Sequence, residues 1–311
     1  VGKKPIIFTN NDSAYETAIE FKNNGADPLI LDTRKEHISE LVNEAKNKGI
    51  EIKFNHAVIK ANGYKKVKSA DIGELSEDKT EYKNIKKVEC DCICVSGFWT
   101  PSVHLASQSG NKLKFDNQID AFVPDKSKQN EFTVGSANGD FTLQNTLNKG
   151  FKAGIDISKK INNKEIDIQI PNATEKKHNI HDKFWCAPLP KKMQAKRFVD
   201  FQNDVSVTDI EIALREGYRS IEHVKRYTTL GMATDQGRTS NLNGLQLVSN
   251  IENKIVPEVG HTTFRPPFTP VTIGTIVGRE IGKHFMPTRL TPMHEWHVKN
   301  NAVFVDAGAW K

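Results

Sequence analysis

The sequence is short of the residues that mark several protein classes. Its four cysteines, Cys90, Cys92, Cys94 and Cys186, are too few for a disulfide scaffold in 311 residues. They imply a reducing compartment, and a cytoplasmic location is the expectation. No apolar run approaches the length needed to cross a bilayer, and no signal-peptide pattern is visible. Aromatic residues make up only 8% of the chain, and none alternate with basic residues in the manner of a single-strand nucleic-acid binder. The formal charge of +6 and pI near 8.9 therefore read as a solvated lysine-rich surface, with neither nucleic acid nor membrane as partner. Initiator methionine is absent, and the strand-like run PIIFT follows almost at once, so the expectation is an internal piece of a longer polypeptide.

What is present is a globular composition, 37% hydrophobic and 26% charged, long enough for two or three domains. Residues 5–32 read as strand, helix and strand: Pro5 to Phe8, then Tyr15, Ala18, Ile19 and Phe21 at helical spacing, a stop at Gly25, and Pro28 to Leu31. That order is the organisation of a nucleotide-binding half-domain, yet Thr9 to Ala14 holds none of the glycines of GxGxxG. Asp32 stands where an acid accepts a ribose hydroxyl; a strand-end or capping aspartate is the equal alternative. A second helix is expected over His37 to Lys48, with Ile38, Leu41, Val42 and Ala45 on one face, followed by strand and a charged, hairpin-like surface segment through residue 87.

In VECDCICVSGFWTPSVHLASQSG the alternation predicts a buried strand with Cys90, Cys92 and Cys94 on one face, ending at Ser96, Gly97, Phe98 and Trp99. The spacing is unlike zinc CxxC, so these cysteines read as small core side chains. In EFTVGSANGDFTLQNTLNKGFKAG a strand ends at Val134, Gly135 and Gly139 flank a turn, and Leu143, Leu147, Phe151 and Ile155 form a helix seam. Residues 161–196 read as a linker that Trp185 and Cys186 pin to a neighbour. Asp204 or Ser206 caps a helix carrying Ile210, Ala213 and Leu214 and stopped by Gly217. A second helix carries Ile221, Val224 and Tyr227 until Gly231. Lys225, Arg226, Arg238 and the backbone donors around Gly237 form either an anion-binding set or a solvated face with an ordinary loop. His294 and His297, three apart, lack a third ligand, and no metal site is expected.

The segments FVDFQND, EHVKRYTTLGMATDQG and TSN resemble the linker domain in the alpha subunit of heterotetrameric sarcosine oxidase. So do VSGFWTPSVHLASQSG, with Phe98 in place of a glycine, and GHTTFRPPFTPV. The resemblance implies an α/β fold. Residues 1–160 would be part of a two-dinucleotide-binding-domain, disulfide-reductase-like Rossmann region, with 1–90 the inserted subdomain and 91–160 the return to the first. A linker at 161–196, a small helical module at 197–245, an extended connector at 246–290 and the start of a folate-binding, aminomethyltransferase-like domain at 291–311 would follow. In a related branch the module carries a two-iron two-sulfur cluster, whose cysteine ligands fall here at Asp200, Gln202, Asp235 and Ser240. None is cysteine, so the module is expected to keep the shape without the cluster.

The same resemblance implies NAD on this subunit, FMN at the interface with the beta subunit, FAD in the beta subunit and tetrahydrofolate beyond this segment. Beta, gamma and delta subunits would be partners, and the small-molecule substrate would be sarcosine. Gly97, Trp99, Gly135, Ser136, Asn138 and Gly139 join Asp32 as expected NAD contacts, Ser136 standing where reductases carry the acid that binds FAD ribitol. Lys225, Arg226, Gln236 and Arg238 are the expected FMN-facing set. No catalytic acid or base is assigned. Two other classes stay open: a non-catalytic scaffold, and a folate-dependent aminomethyltransferase with an N-terminal extension.

Overall fold

A computed structural model describes residues 2–97, 99–162, 168–174, 182–191, 193, 195–267, 269–279, 282 and 287–311. Phe98 lies outside the described residues. The chain divides into two compact units, Val1–Pro266 and Pro267–Lys311.

In the first unit β1 (Pro5–Thr9) enters α1 (Ser13–Asn23), whose end is released by Gly25 at φ +80. Next come β2 (Leu29–Asp32), α2 (Glu40–Asn47) and β3 (Glu51–Phe54). The Ser39 hydroxyl accepts from the amide of Val42, which starts α2 later than the apolar spacing predicts and leaves Ile38 exposed. Strands β4 (His56–Gly63), β5 (Val67–Leu75) and β6 (Tyr82–Glu89) form an antiparallel sheet. Strand β7 (Cys92–Ser96) then returns to pair in parallel with β1, giving the order β3-β2-β1-β7.

Adjacent residues of β1 and β2 point to opposite faces, and both faces are covered. Ile7 and Ile30 pack with Tyr15 and Ala18 of α1 and Leu41 and Val42 of α2. Ile6 and Leu31 pack with Ala70 and Ile72 of β5. The segment expected to be mostly surface thus contributes a buried strand face. Cys90 precedes β7 and sits in the second cluster, whereas Cys94 packs against the first, so the three cysteines do not share a face. Only Cys92 and Cys94 do, with sulfurs 3.8 Å apart.

Beyond β7 the chain forms α3 (His104–Gln108), the hairpin β8 (Leu113–Asp116) and β9 (Ala121–Pro124), and a 3₁₀ turn at Gly135–Asn138. Glu131 to Val134, expected to be a strand, has no strand partner among the described residues. The long α4 (Leu143–Asn162) carries the expected seam but buries none of its described residues.

The helical module opens with the short hairpin β10 (Phe198–Asp200) and β11 (Val205–Ser206). Then follow α5 (Val207–Arg215), α6 (Ile221–Thr228), α7 (Asn241–Glu252) and α8 (Val256–Val259). Asp209 accepts from the amide and hydroxyl of Ser206 at 2.8 and 2.7 Å, which fixes the start of α5. One core joins Ile210, Leu214, Val224, Leu230, Leu245, Val248 and Val256. The module therefore continues past residue 245: α7 and α8 are integral to its core, and no extended connector begins at 246. In the second unit, taken by itself, α9 (Ile273–Val277) and α10 (His294–Lys299) are short, and Arg289 bridges to Trp310. No helix among the described residues is long and apolar enough to cross a membrane.

Ile210 is 0% exposed at the centre of the module. Ile210→Ala is expected to cost roughly 2–5 kcal/mol through lost transfer energy and the cavity left behind. Urea unfolding monitored by circular dichroism measures it.

Candidate functional site

The parallel strands β1 and β7 end side by side, at the edge where open α/β sheets receive ligands. A cleft of about 1290 Å³ begins there, walled by Thr9, Asn10, Ser96, Gly97 and Trp99, and runs to the glycine loop between α6 and α7. It is larger than the roughly 300–1,000 Å³ usual for small-molecule pockets. Among the described residues, its lining contains Lys60, Lys196, Arg197 and Arg238 together with His104 and His261, and no aspartate or glutamate. Trp99, Phe184, Trp185, Phe198, Phe201 and Phe264 supply aromatic surface. In a chain with 38 acidic residues, a wall with cations and no acids is electrostatically suited to an anion.

Local bonds shape each end. Asn11 donates to the carbonyls of Ser96 and Gly97, tying the β1–α1 turn to the end of β7. The Trp99 indole donates to the Ser13 hydroxyl at 3.2 Å, which orients a ring that remains 65% exposed. His104 Nε2 lies 3.2 Å from the carbonyl of Gln236, and its ring packs 4.0 Å from that of Phe264. Burial pushes the His104 pKa below its ordinary 6.5. This imidazole joins the returning Rossmann segment to the glycine loop. Cys186 does pin the linker: it packs against the module core, and Arg197 donates to its sulfur at 3.4 Å. Burial raises the Cys186 thiol, with Arg197 opposing, so the sulfur is held as a thiol.

The glycine loop owes its shape to one carboxylate and one amide. Asp200, 2% exposed, accepts from the amides of Gln202 at 2.9 Å, Asn203 at 3.3 Å and Gly231 at 2.8 Å, and from the Ser240 hydroxyl at 3.4 Å. Gln202 in turn accepts from Thr234 at 2.9 Å, and Asp235 holds the amides of Gly237 and Thr239. The positions matched to cluster ligands therefore lie in the hairpin turn and the facing loop, knit by oxygen and amide hydrogen bonds. No group of three or more metal-holding side chains occurs among the described residues, His294 and His297 included. Gly231 and Gly237 take φ of +66 and +76, and a Cβ on either would lie about 2 Å from Asn241 Oδ1.

Of the expected contacts, Gly97, Trp99 and Arg238 line the cleft. Gln236 sits beside it, its carbonyl facing His104 and its side-chain oxygen accepting from the Arg265 amide. Lys225 is a correction to the FMN-facing set: it is 6% exposed, and its ammonium donates inward to the Thr263 carbonyl at 3.0 Å. Burial lowers its pKa accordingly. Arg226 is exposed and is not among the cleft lining. Asp32 is a second correction, since it is 0% exposed and its oxygens serve Tyr15 and Arg34. Gly135 to Gly139 form a separate turn packed on β9 and α4, with Ser136 exposed and Gly139 against Ile119 and Val123. The sequence reading passed over His104, Arg197 and Asn241. His104 stands inside the TPSVHL motif, and Asn241 closes TSN, so both were visible as motif members without a role.

The family model described as the sarcosine oxidase A3 domain matches residues 194–279. The chain is 34% identical over 319 residues to sarcosine oxidase subunit alpha of Corynebacterium sp. (strain P-1), with 100% of this chain aligned to 32% of that protein. It is 34% identical over 322 residues to sarcosine oxidase subunit alpha of Rhizobium meliloti (strain 1021), covering 99% of this chain and 30% of that one. The chain thus spans less than a third of the length of these curated relatives. A crystal structure of L-proline dehydrogenase from P. horikoshii shares the fold, with TM-score 0.56 and 18% identity over 89% of this chain and 50% of that one.

Two outcomes follow from this geometry. Asp200→Ala strands several donors in a buried turn and is expected to cost on the order of 3 kcal/mol, with Asp200→Asn less. Thermal unfolding and faster hydrogen exchange at the Gly231 amide would report it. For His104 the folded value lies below the unfolded one, so the unfolded chain binds more protons as pH falls through about 6.5. Stability is full above that value and declines below it, and His104→Gln should flatten the decline in pH-dependent melting curves.

Proposed function

Along its whole length the chain is a relative of sarcosine oxidase alpha subunits, and on that footing we propose that it serves as the cofactor-cradling middle of such a subunit. The observation that carries the reading is the cleft, whose wall offers cations and aromatic faces and no acid where the parallel strands meet the glycine loop. A nicotinamide dinucleotide combines a pyrophosphate with two flat heterocycles and suits that lining. When bound, it would supply hydride chemistry. Gly97 would admit its backbone closely, Trp99 would stack on a ring, and Arg238 would face the phosphates. The turn at Gly135, Ser136, Asn138 and Gly139, with a hydroxyl where ribitol-binding reductases use an acid, lies outside the cleft lining and would contribute only to a part of the ligand that extends beyond it.

The FMN-facing side would draw on Arg226 and Gln236, with Arg238 of the expected set given instead to the dinucleotide, and with the beta subunit carrying the rest of that site and the FAD at which sarcosine is oxidised. The complex, with gamma and delta subunits, would demethylate sarcosine to glycine, release hydrogen peroxide and pass the one-carbon unit to tetrahydrofolate. That folate site would lie in the aminomethyltransferase-like domain which residues 291–311 begin. The uncovered seam of α4, and Glu131 to Val134 without a strand partner among the described residues, suit a return segment that completes a neighbouring subdomain. A cytoplasmic location accords with this soluble chemistry.

In the purified full complex, NADH is expected to bind saturably with quenching of tryptophan fluorescence. Arg238→Ala should raise the Kd about tenfold or more, the size of a lost charge-assisted hydrogen bond, and Trp99→Leu should remove most of the quench. No saturable binding would end the dinucleotide reading, and peroxide release with sarcosine against other N-methyl amines would test the substrate.

A further inference from the structure

The β1–α1–β2 unit has the order of a dinucleotide-binding half-domain, and its side chains do not fit that ligand. In such units the pyrophosphate rests on the N-terminus of the first helix, an acid at the end of the second strand binds the ribose of NAD, and a nearby arginine binds the extra phosphate of NADP. All three positions are occupied here by one another. Asp12, at the N-terminus of α1 and 0% exposed, receives Arg34 Nη2 at 2.7 Å and His37 Nε2 at 3.2 Å. Asp32, equally buried, receives the Tyr15 hydroxyl at 2.7 Å, the Arg34 amide at 2.9 Å, and Arg34 Nε and Nη2 at 3.0 and 2.7 Å.

Electrostatics points the same way. Both carboxylates are bound to the one Arg34 guanidinium, so a phosphate approaching α1 would have to compete with Asp12 and Asp32 for that cation. Arg34 is only 8% exposed, and releasing it to a ligand would strand two buried acids. Burial and the adjacent Asp32 drive the Tyr15 hydroxyl far above its usual range, so it remains a donor to that carboxylate. The backbone is closed as well, because Thr9, Asn11 and Ala14 occupy the positions where the glycines of GxGxxG would let a pyrophosphate approach.

We infer that this half-domain is a self-neutralised structural module that accepts neither NAD nor NADP, its recognition residues having become each other's partners. This goes beyond the cofactor reading of the cleft, whose lining takes Thr9, Asn10 and Thr33 from this half-domain but none of Asp12, Asp32 and Arg34. The test uses the full complex. Residue-resolved hydrogen exchange with millimolar NADH or NADPH should show no added protection over residues 11–13 and 34–37, which lie outside the cleft lining. Asp32→Asn and Arg34→Gln should lower the melting temperature by several degrees while any NADH Kd stays within twofold. Ligand-dependent protection of those peptides, or a tenfold loss of affinity for either nucleotide in a variant with unchanged circular dichroism, would overturn the inference. If the variants do not fold, the exchange measurement on the unaltered complex decides alone. Loss of all nucleotide binding in that complex would sink the cleft reading and leave this one standing.

Discussion

Asp200 accepts from Gln202, Asn203, Gly231 and Ser240, so one buried carboxylate closes both the β10–β11 hairpin and the loop between α6 and α7. The rest of the module follows from that closure. With Gly231 held, Leu230 drops into the core beside Gly244, where a Cβ would collide with it. With the loop held, its Gln236 carbonyl meets His104, and the far wall of the cleft is fixed relative to the strands of the Rossmann sheet. Charge-assisted bonds of this kind are strong because the group they satisfy would be costly to leave buried alone.

Acidic side chains explain the functional asymmetry of the first unit. At the β1–α1 turn they point inward and consume the local cation, whereas the cleft lining has cations and histidines with no acid. Two neighbouring regions of one sheet edge thus differ in how their cations are disposed: at the turn Arg34 is paired internally, while among the described residues no carboxylate shares the cleft lining with Lys60, Lys196, Arg197 and Arg238.

Much of this was legible in the sequence wherever the signal was local. Helices α1, α5 and α6 and strands β1 and β2 follow from apolar spacing, caps and stop glycines. The hairpins β8–β9 and β10–β11 were not, because their pairing is short and their neighbours lie far along the chain. Helix α7 hid behind a polar run, NLNGLQLVSN, whose apolar positions gain meaning only against Leu214 and Leu230. Lys225 looked like an anion ligand because its acceptor, the Thr263 carbonyl, is 38 residues distant. Asp32 looked like a ribose ligand although Arg34, two residues on, was in plain view; only the fold brings Asp12 and Tyr15 to complete the quartet.

The glycine loop also says something about how such a module can drift. Asn241 Oδ1 lies against Gly231 and Gly237 so closely that no side chain fits at either position. The polar residues beside them are bound through hydrogen bonds that several short side chains can make. Tolerance here is therefore lopsided: the polar positions of the loop admit substitution by other short hydrogen-bonding side chains, while its backbone path admits no Cβ at Gly231 or Gly237.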